Sequence, residues 1–174
     1  RAELLSIDDM FAIAASFVQL GVRKIRLTGG EPLVHPDIVT LVGRLAALPD
    51  LHELAMTTNG ARLASLAQPL KDSGLSRLNI SLDSLQADRF KALTRTGELA
   101  PVLAGIQAAK DAGFQRIKLN SVILRGRNDD EVVDLVRFAR QHDLDISFIE
   151  EMPLGAIDEH DRTATFMPSA DILA

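Results

Sequence analysis

The chain contains no cysteine. Disulfides, thiolate nucleophiles and any zinc or iron–sulfur site held by its own thiolates are therefore excluded within these residues. It also lacks an apolar run approaching the roughly 20 residues that cross a bilayer. Its opening residues, RAELLSIDDM, do not set a basic stretch before an apolar one as a secretory signal would. Positive charge is not in excess: 19 Lys and Arg against 24 Asp and Glu leave a net charge of -5. That balance argues against a broad nucleic-acid-binding surface, while a local basic pocket stays compatible with it. Low-complexity segments, linkers and short repeats are missing as well. The expectation is a soluble cytoplasmic protein with no membrane and no nucleic-acid partner. The four histidines, His35, His52, His142 and His160, lack the close spacing of a helical metal pair and read as surface or loop residues.

What is present is one chain of 174 residues, 47% hydrophobic, enough for a single core and a single domain over 1–174. Helical and extended patterns alternate throughout. Ser6 can cap a helix whose apolar positions Ile7, Met10, Phe11, Ala14, Phe17 and Val18 follow helical spacing, with Gly21 ending it. Strands are expected at 24–28, 53–57, 77–81, 116–122 and 145–150. Helices are expected near 37–47, 61–72 and 86–93, in a longer segment with Pro101 in its first turn and Gly113 at its end, and after Asn128 as a cap. Such an order implies parallel strands joined by right-handed crossovers, hence a barrel or an open doubly wound sheet. Both ends read as interrupted. The first helix is of the kind that follows a strand, and Ser169 caps a helix that stops almost as it starts.

A strand covered on both faces is a nearly unbroken apolar run, and these strands are not. Lys24, Arg26 and Thr28 alternate with Ile25 and Leu27; Arg77, Asn79, Ser81 and Asp83 alternate with Leu78, Ile80 and Leu82; Arg116, Lys118 and Asn120 alternate with Ile117 and Leu119. Glu53, Ala55, Thr57 and Asn59 can share the polar face. One face then packs on helices while the other carries charge and hydrogen-bonding groups, either solvated or lined up around a ligand. An unpaired cation on an inner wall is costly, so Arg26 and Lys118 call for anionic partners, and phosphates would serve. The tripeptides GGE, TNG, SLD and EEM all fall at strand C-terminal ends, the rim at which α/β folds bind ligands.

GGEP, TTNG, NISLDS and EEMPLG in this order resemble the radical S-adenosylmethionine enzymes. LTRTGELAPVLAGIQAA and KLNSVILRGRNDDE narrow the resemblance to the molybdenum cofactor biosynthesis protein A family, the GTP 3',8-cyclases. It extends over almost the whole chain. The resemblance implies an α/β fold, the middle of a parallel-stranded partial (βα)6 TIM-like barrel truncated at both ends with five strands present. The N-terminal cluster loop and C-terminal cluster domain would be absent. It implies S-adenosyl-L-methionine and 4Fe-4S clusters as cofactors. Carried over by position, Gly30, Glu31, Ser81 and Met152 match cofactor contacts, and Arg26, Thr57 and Lys118 match residues that hold GTP. Glu31 would offer negative charge to the methionyl ammonium; read from the residues alone, a Glu31 that caps the next helix stays equally open.

The implied chemistry is reductive cleavage of S-adenosylmethionine, giving a 5'-deoxyadenosyl radical that takes hydrogen from the ribose 3' carbon of GTP before C8 of guanine is attacked. Implied partners are an electron donor, a functional link to cyclic pyranopterin monophosphate synthase, and a homodimer. The family's CxxxCxxC and the ligands of its second cluster have no counterpart here, so these residues alone are expected to be inactive. His35 stands where the family often carries Arg, which keeps other radical S-adenosylmethionine subgroups open. Two further readings stay open: a class I aldolase-like barrel with Lys118 as Schiff-base nucleophile, and a non-catalytic nucleotide-binding module.

Overall fold

The computed structural model describes residues 5–152 and 161–172. His160 and the PLG of the EEMPLG motif lie outside them. The first helix, α1 (Ile7–Gln19), starts as its sequence predicts. The Ser6 hydroxyl accepts from the Asp9 amide and the Asp9 carboxylate accepts from the Ser6 amide, a reciprocal capping box. The remaining elements are β1 (Lys24–Leu27), α2 (Ile38–Ala46), β2 (Glu53–Thr58), α3 (Leu63–Asp72), β3 (Arg77–Ser81), α4 (Ala87–Thr94), α5 (Leu99–Asp111), β4 (Ile117–Val122), α6 (Val132–Gln141), β5 (Asp145–Ile149), α7 (Arg162–Thr165) and α8 (Ser169–Ile172). None of the described helices is long and apolar enough to cross a membrane.

The five strands form one sheet in the order β1-β2-β3-β4-β5, every pair parallel. This order separates the two topologies left open by the alternation. A doubly wound sheet reverses its strand order at a switch point, whereas a strictly sequential order puts each crossover on the same side and is the order of a barrel wall. The helices cover one face. Met56, Leu78, Ile80 and Leu119 are wholly buried there against Leu45, Leu63, Leu70 and Ile106 from the helices. The α3–α5 contact is close because Gly105 has no side chain; a Cβ there would stand 2.6 Å from the Gly60 carbonyl oxygen. Among the described residues, β1 has a neighbour on one side only, and its open flank runs into an apolar cleft of about 410 Å³ lined by Ile13, Phe17, Ile25 and Leu27.

Candidate functional site

The other face of the sheet has the polar composition predicted for it, and the register arranges it in levels. Lys24 pairs with Glu53. One level nearer the strand C-termini, Arg26, Ala55 and Arg77 line up across β1, β2 and β3. Next come Thr57, Asn79, Lys118 and Asp145 across β2 to β5, and then Ser81, Asn120 and Ser147. Arg26, Thr57, Lys118 and Ser81 thus share one face.

Arg26 and Lys118 call for anionic partners, and no carboxylate among the described residues supplies one. Among the described residues Lys24, Arg26, Arg77 and Lys118 form no ion pair. Glu53, opposite Lys24 in register, pairs instead with Arg116 at 2.9 Å, and Asp145 is opposite Lys118 in register without coming within ion-pair distance. The reason is openness: Arg26 is solvent-exposed and Lys118 half-buried, so water bears the charge that a closed interior would make prohibitive.

At the rim, β1 turns at Gly29, whose φ of +139° suits a residue without a side chain. Gly30 follows, exposed, with nothing within 4 Å of where a Cβ would be, so a ligand can reach its backbone. Glu31 behaves differently from an unoccupied carboxylate awaiting an ammonium. One oxygen accepts from the Leu33 amide at 3.0 Å, capping the 3-10 turn Pro32–Val34, and from the Thr58 hydroxyl at 2.7 Å. The other accepts from the Asn59 amide at 2.7 Å. The capping alternative is therefore what the geometry shows, with an added tie to the end of β2. A carboxylate has about four acceptor positions, so three bonds leave room for one more donor. A hollow of about 690 Å³ borders this turn, lined by Met10, Thr28, Gly30, Glu31 and His35 among others.

Sequence reasoning missed the polar clamp that joins the C-terminal ends of β3 and β4. Asn128 does not cap the following helix. Its side chain instead accepts from the Leu124 amide and donates to the carbonyls of Asp83 and Val122, because these backbone groups lie beyond the last β3–β4 pair, Ser81 with Asn120, and need partners. The Asp83 carboxylate accepts from the Val122 amide at 2.8 Å. Burial raises the Asp83 pKa above the usual carboxylate range, and that amide bond opposes the shift. Buried Glu131 accepts from Ser84 at 2.8 Å and the Leu85 amide at 2.8 Å, and pairs with Arg89 at 2.7 Å. The signal that could have found this clamp is the density of short polar residues in RGRNDDE. Ser169 likewise begins α8 rather than preceding it, its amide donating to Glu150.

Of the other predicted residues, Thr57 and Ser81 are half-buried on the concave face, while Met152 is 64% exposed beyond β5. His35 accepts from the Asp37 amide through Nδ1, and His142 ends α6 stacked on Phe138 with ring centroids 4.4 Å apart, both local structural roles. Among the described residues no group of three or more His, Asp or Glu could hold a metal.

A model of the Radical SAM superfamily matches residues 1–139. The chain is 66% identical over 174 residues to a GTP 3',8-cyclase of Pseudomonas putida (strain W619), covering all of this chain and 52% of that protein. It is 58% identical over 172 residues to a GTP 3',8-cyclase of Pseudomonas fluorescens (strain Pf0-1), covering 99% of this chain and 52% of the relative. The chain thus spans about half the length of these relatives. Among solved structures, a radical SAM methyltransferase from Sphaerobacter thermophilus superposes with a TM-score of 0.74 at 18% identity, covering 99% of this chain and 53% of that one. Coproporphyrinogen III oxidase from Escherichia coli gives 0.66 at 14% identity, covering 96% and 44%. At these identities the structures bear on the fold.

Proposed function

Because the chain belongs to the radical SAM superfamily, we propose that it forms the central barrel segment of a GTP 3',8-cyclase. The observation that carries this reading is the set of four cations, Lys24, Arg26, Arg77 and Lys118, on one concave face without a carboxylate partner among the described residues. A face of that kind has charge to spare for a triphosphate. In the proposal Arg26, Thr57 and Lys118 hold GTP, while Gly30, Glu31, Ser81 and Met152 face S-adenosylmethionine.

The rim fits such a cofactor: the Gly30 backbone is open, and the Glu31 carboxylate has an acceptor position left beside it. An iron–sulfur cluster does not fit these residues, since the chain has no cysteine, and its ligands are assigned to parts of the protein outside this chain. When bound, the cofactor and cluster supply radical chemistry. The chain's own part is to hold the nucleotide's anionic end with Arg26 and Lys118, fix the rim through the Glu31 tie, and keep sugar and cofactor side by side. The proposal includes an electron donor, a product passed to cyclic pyranopterin monophosphate synthase, a homodimer, and a cytoplasmic setting. These 174 residues alone are expected to give no turnover.

The test is equilibrium GTP binding to the complete protein and its Lys118→Met variant. The expected result is a loss of affinity of about tenfold or more with an unchanged melting curve. A wild type that fails to bind GTP, or a variant that binds it equally well, would defeat the reading.

A further inference from the structure

Asn79 is in the middle of the concave face, only 3% exposed, and its Oδ1 is buried with no hydrogen-bond partner. Buried amide oxygens are rarely left this way, because the lost water is not replaced. The register sets Asn79 between Thr57 on β2 and Lys118 on β4, yet neither of them donates to it here. The same strand carries Arg77 one level below, across Ala55 from Arg26, with its Nε also buried and unpaired. One level above is Ser81 at the rim. Same-face residues on a strand are about 7 Å apart, so β3 presents a cation, an amide and a hydroxyl in series from the barrel floor to the rim.

A nucleoside triphosphate has a matching series. With its phosphates at the arginine level, within reach of the long Lys118 side chain from the level above, and its sugar turned toward the rim, the sugar falls beside Asn79. The donors on a sugar are its hydroxyls, and Oδ1 lacks a donor. We propose that Asn79 reads the sugar: its side-chain carbonyl accepts a hydrogen bond from a ribose hydroxyl of the bound nucleotide and so separates ribonucleotide from deoxyribonucleotide. This rests on the GTP site proposed above and adds a residue and a specificity to it.

The test measures binding of GTP, 2'-deoxy-GTP and 3'-deoxy-GTP to the complete wild-type protein and to Asn79→Leu, with thermal melts of both. The wild type should bind one deoxy analogue about tenfold or more weaker than GTP, since a site built around a hydroxyl rejects the analogue lacking it. Asn79→Leu should bind GTP as weakly as that analogue, with discrimination gone and the melting temperature unchanged or raised. Asn79→Ala, which only removes atoms, replaces it if the leucine variant fails to fold. A role exerted through Lys118 would weaken all three ligands alike and leave their ratio intact, which overturns the proposal. So does a wild type that binds the three equally. Failure of the wild type to bind GTP removes the site itself, whereas GTP binding with discrimination unaltered by the variant removes only the role of Asn79.

Discussion

Leu78 and Asn79 are adjacent in the chain and almost equally buried, at 0% and 3% exposure, yet they belong to different regions of the molecule. Leu78 is on the helix-covered face, within the apolar cluster that includes Met56, Ile80 and Leu119. Asn79 is on the concave face, where a polar oxygen is buried with nothing to bond. The first face stabilises the fold by removing apolar area from water. The second costs stability where the Asn79 Oδ1 and the Arg77 Nε are buried without partners. The contrast teaches that burial alone does not define a core: one face buries apolar side chains against helices, while the other buries an amide oxygen that no group among the described residues meets.

Breaking the apolar face should have the largest effect. Leu78→Ala is expected to lower the unfolding free energy by about 2–5 kcal/mol, the range for emptying a packed leucine site, measured by denaturant titration. Asn79→Leu, one residue away, should lower it not at all. An equal loss from both would erase the distinction between the faces.

Glu31 lies where the two regions meet, and its effect should be intermediate. Glu31→Gln keeps the shape but turns one acceptor oxygen into a donor, so the Asn59 amide or the pair Leu33 and Thr58 must go unsatisfied. The expected cost is about 1–3 kcal/mol, with faster amide exchange confined to Leu33 and Asn59. Unchanged exchange at those two amides would show that the tie contributes nothing to the rim.

The smallest effect sharpens the comparison at the β3–β4 clamp. Burial holds the Asp83 pKa in the folded protein above its ordinary value. A raised carboxyl pKa means the folded state binds its proton more readily. The favourable contribution is therefore complete below the unfolded value, about 4, and is lost as pH rises through the folded one. Asp83→Asn keeps a carbonyl for the Val122 amide and has no proton to lose. The stability of the wild type relative to this variant should fall as pH rises from about 4 toward neutrality. Denaturant titrations at several pH values check the slope, and a flat difference would mean that Asp83 ionises freely.

Much of the site could be read beforehand because it follows from alternation. Arg26, Thr57, Ser81 and Lys118 were assigned to one face by period-2 spacing, and the register brings them there. Met152 could not be judged in that way, since it lies past the end of β5 where no ladder sets its direction. The tie of Glu31 to the end of β2 is not legible locally, because its partners Thr58 and Asn59 come 27 and 28 residues later. Asn128 looked like a cap from local spacing, and it lost that role to the carbonyl of Asp83, 45 residues away.

By itself, the sequence determined the helices and strands, the polar and apolar faces of each strand, the glycine turn at the first rim position, and the lack of any thiolate. All of these are local, because side-chain periods of 2 and 3.6 and backbone freedom at glycine act over a few residues. Only the tertiary structure decided that the strands run in unbroken order as a barrel wall, that Glu31 ties two strand ends together, and that Asn79 is left without a donor. Those outcomes depend on which strands become neighbours and in what register, and that is settled by packing between segments far apart in the chain.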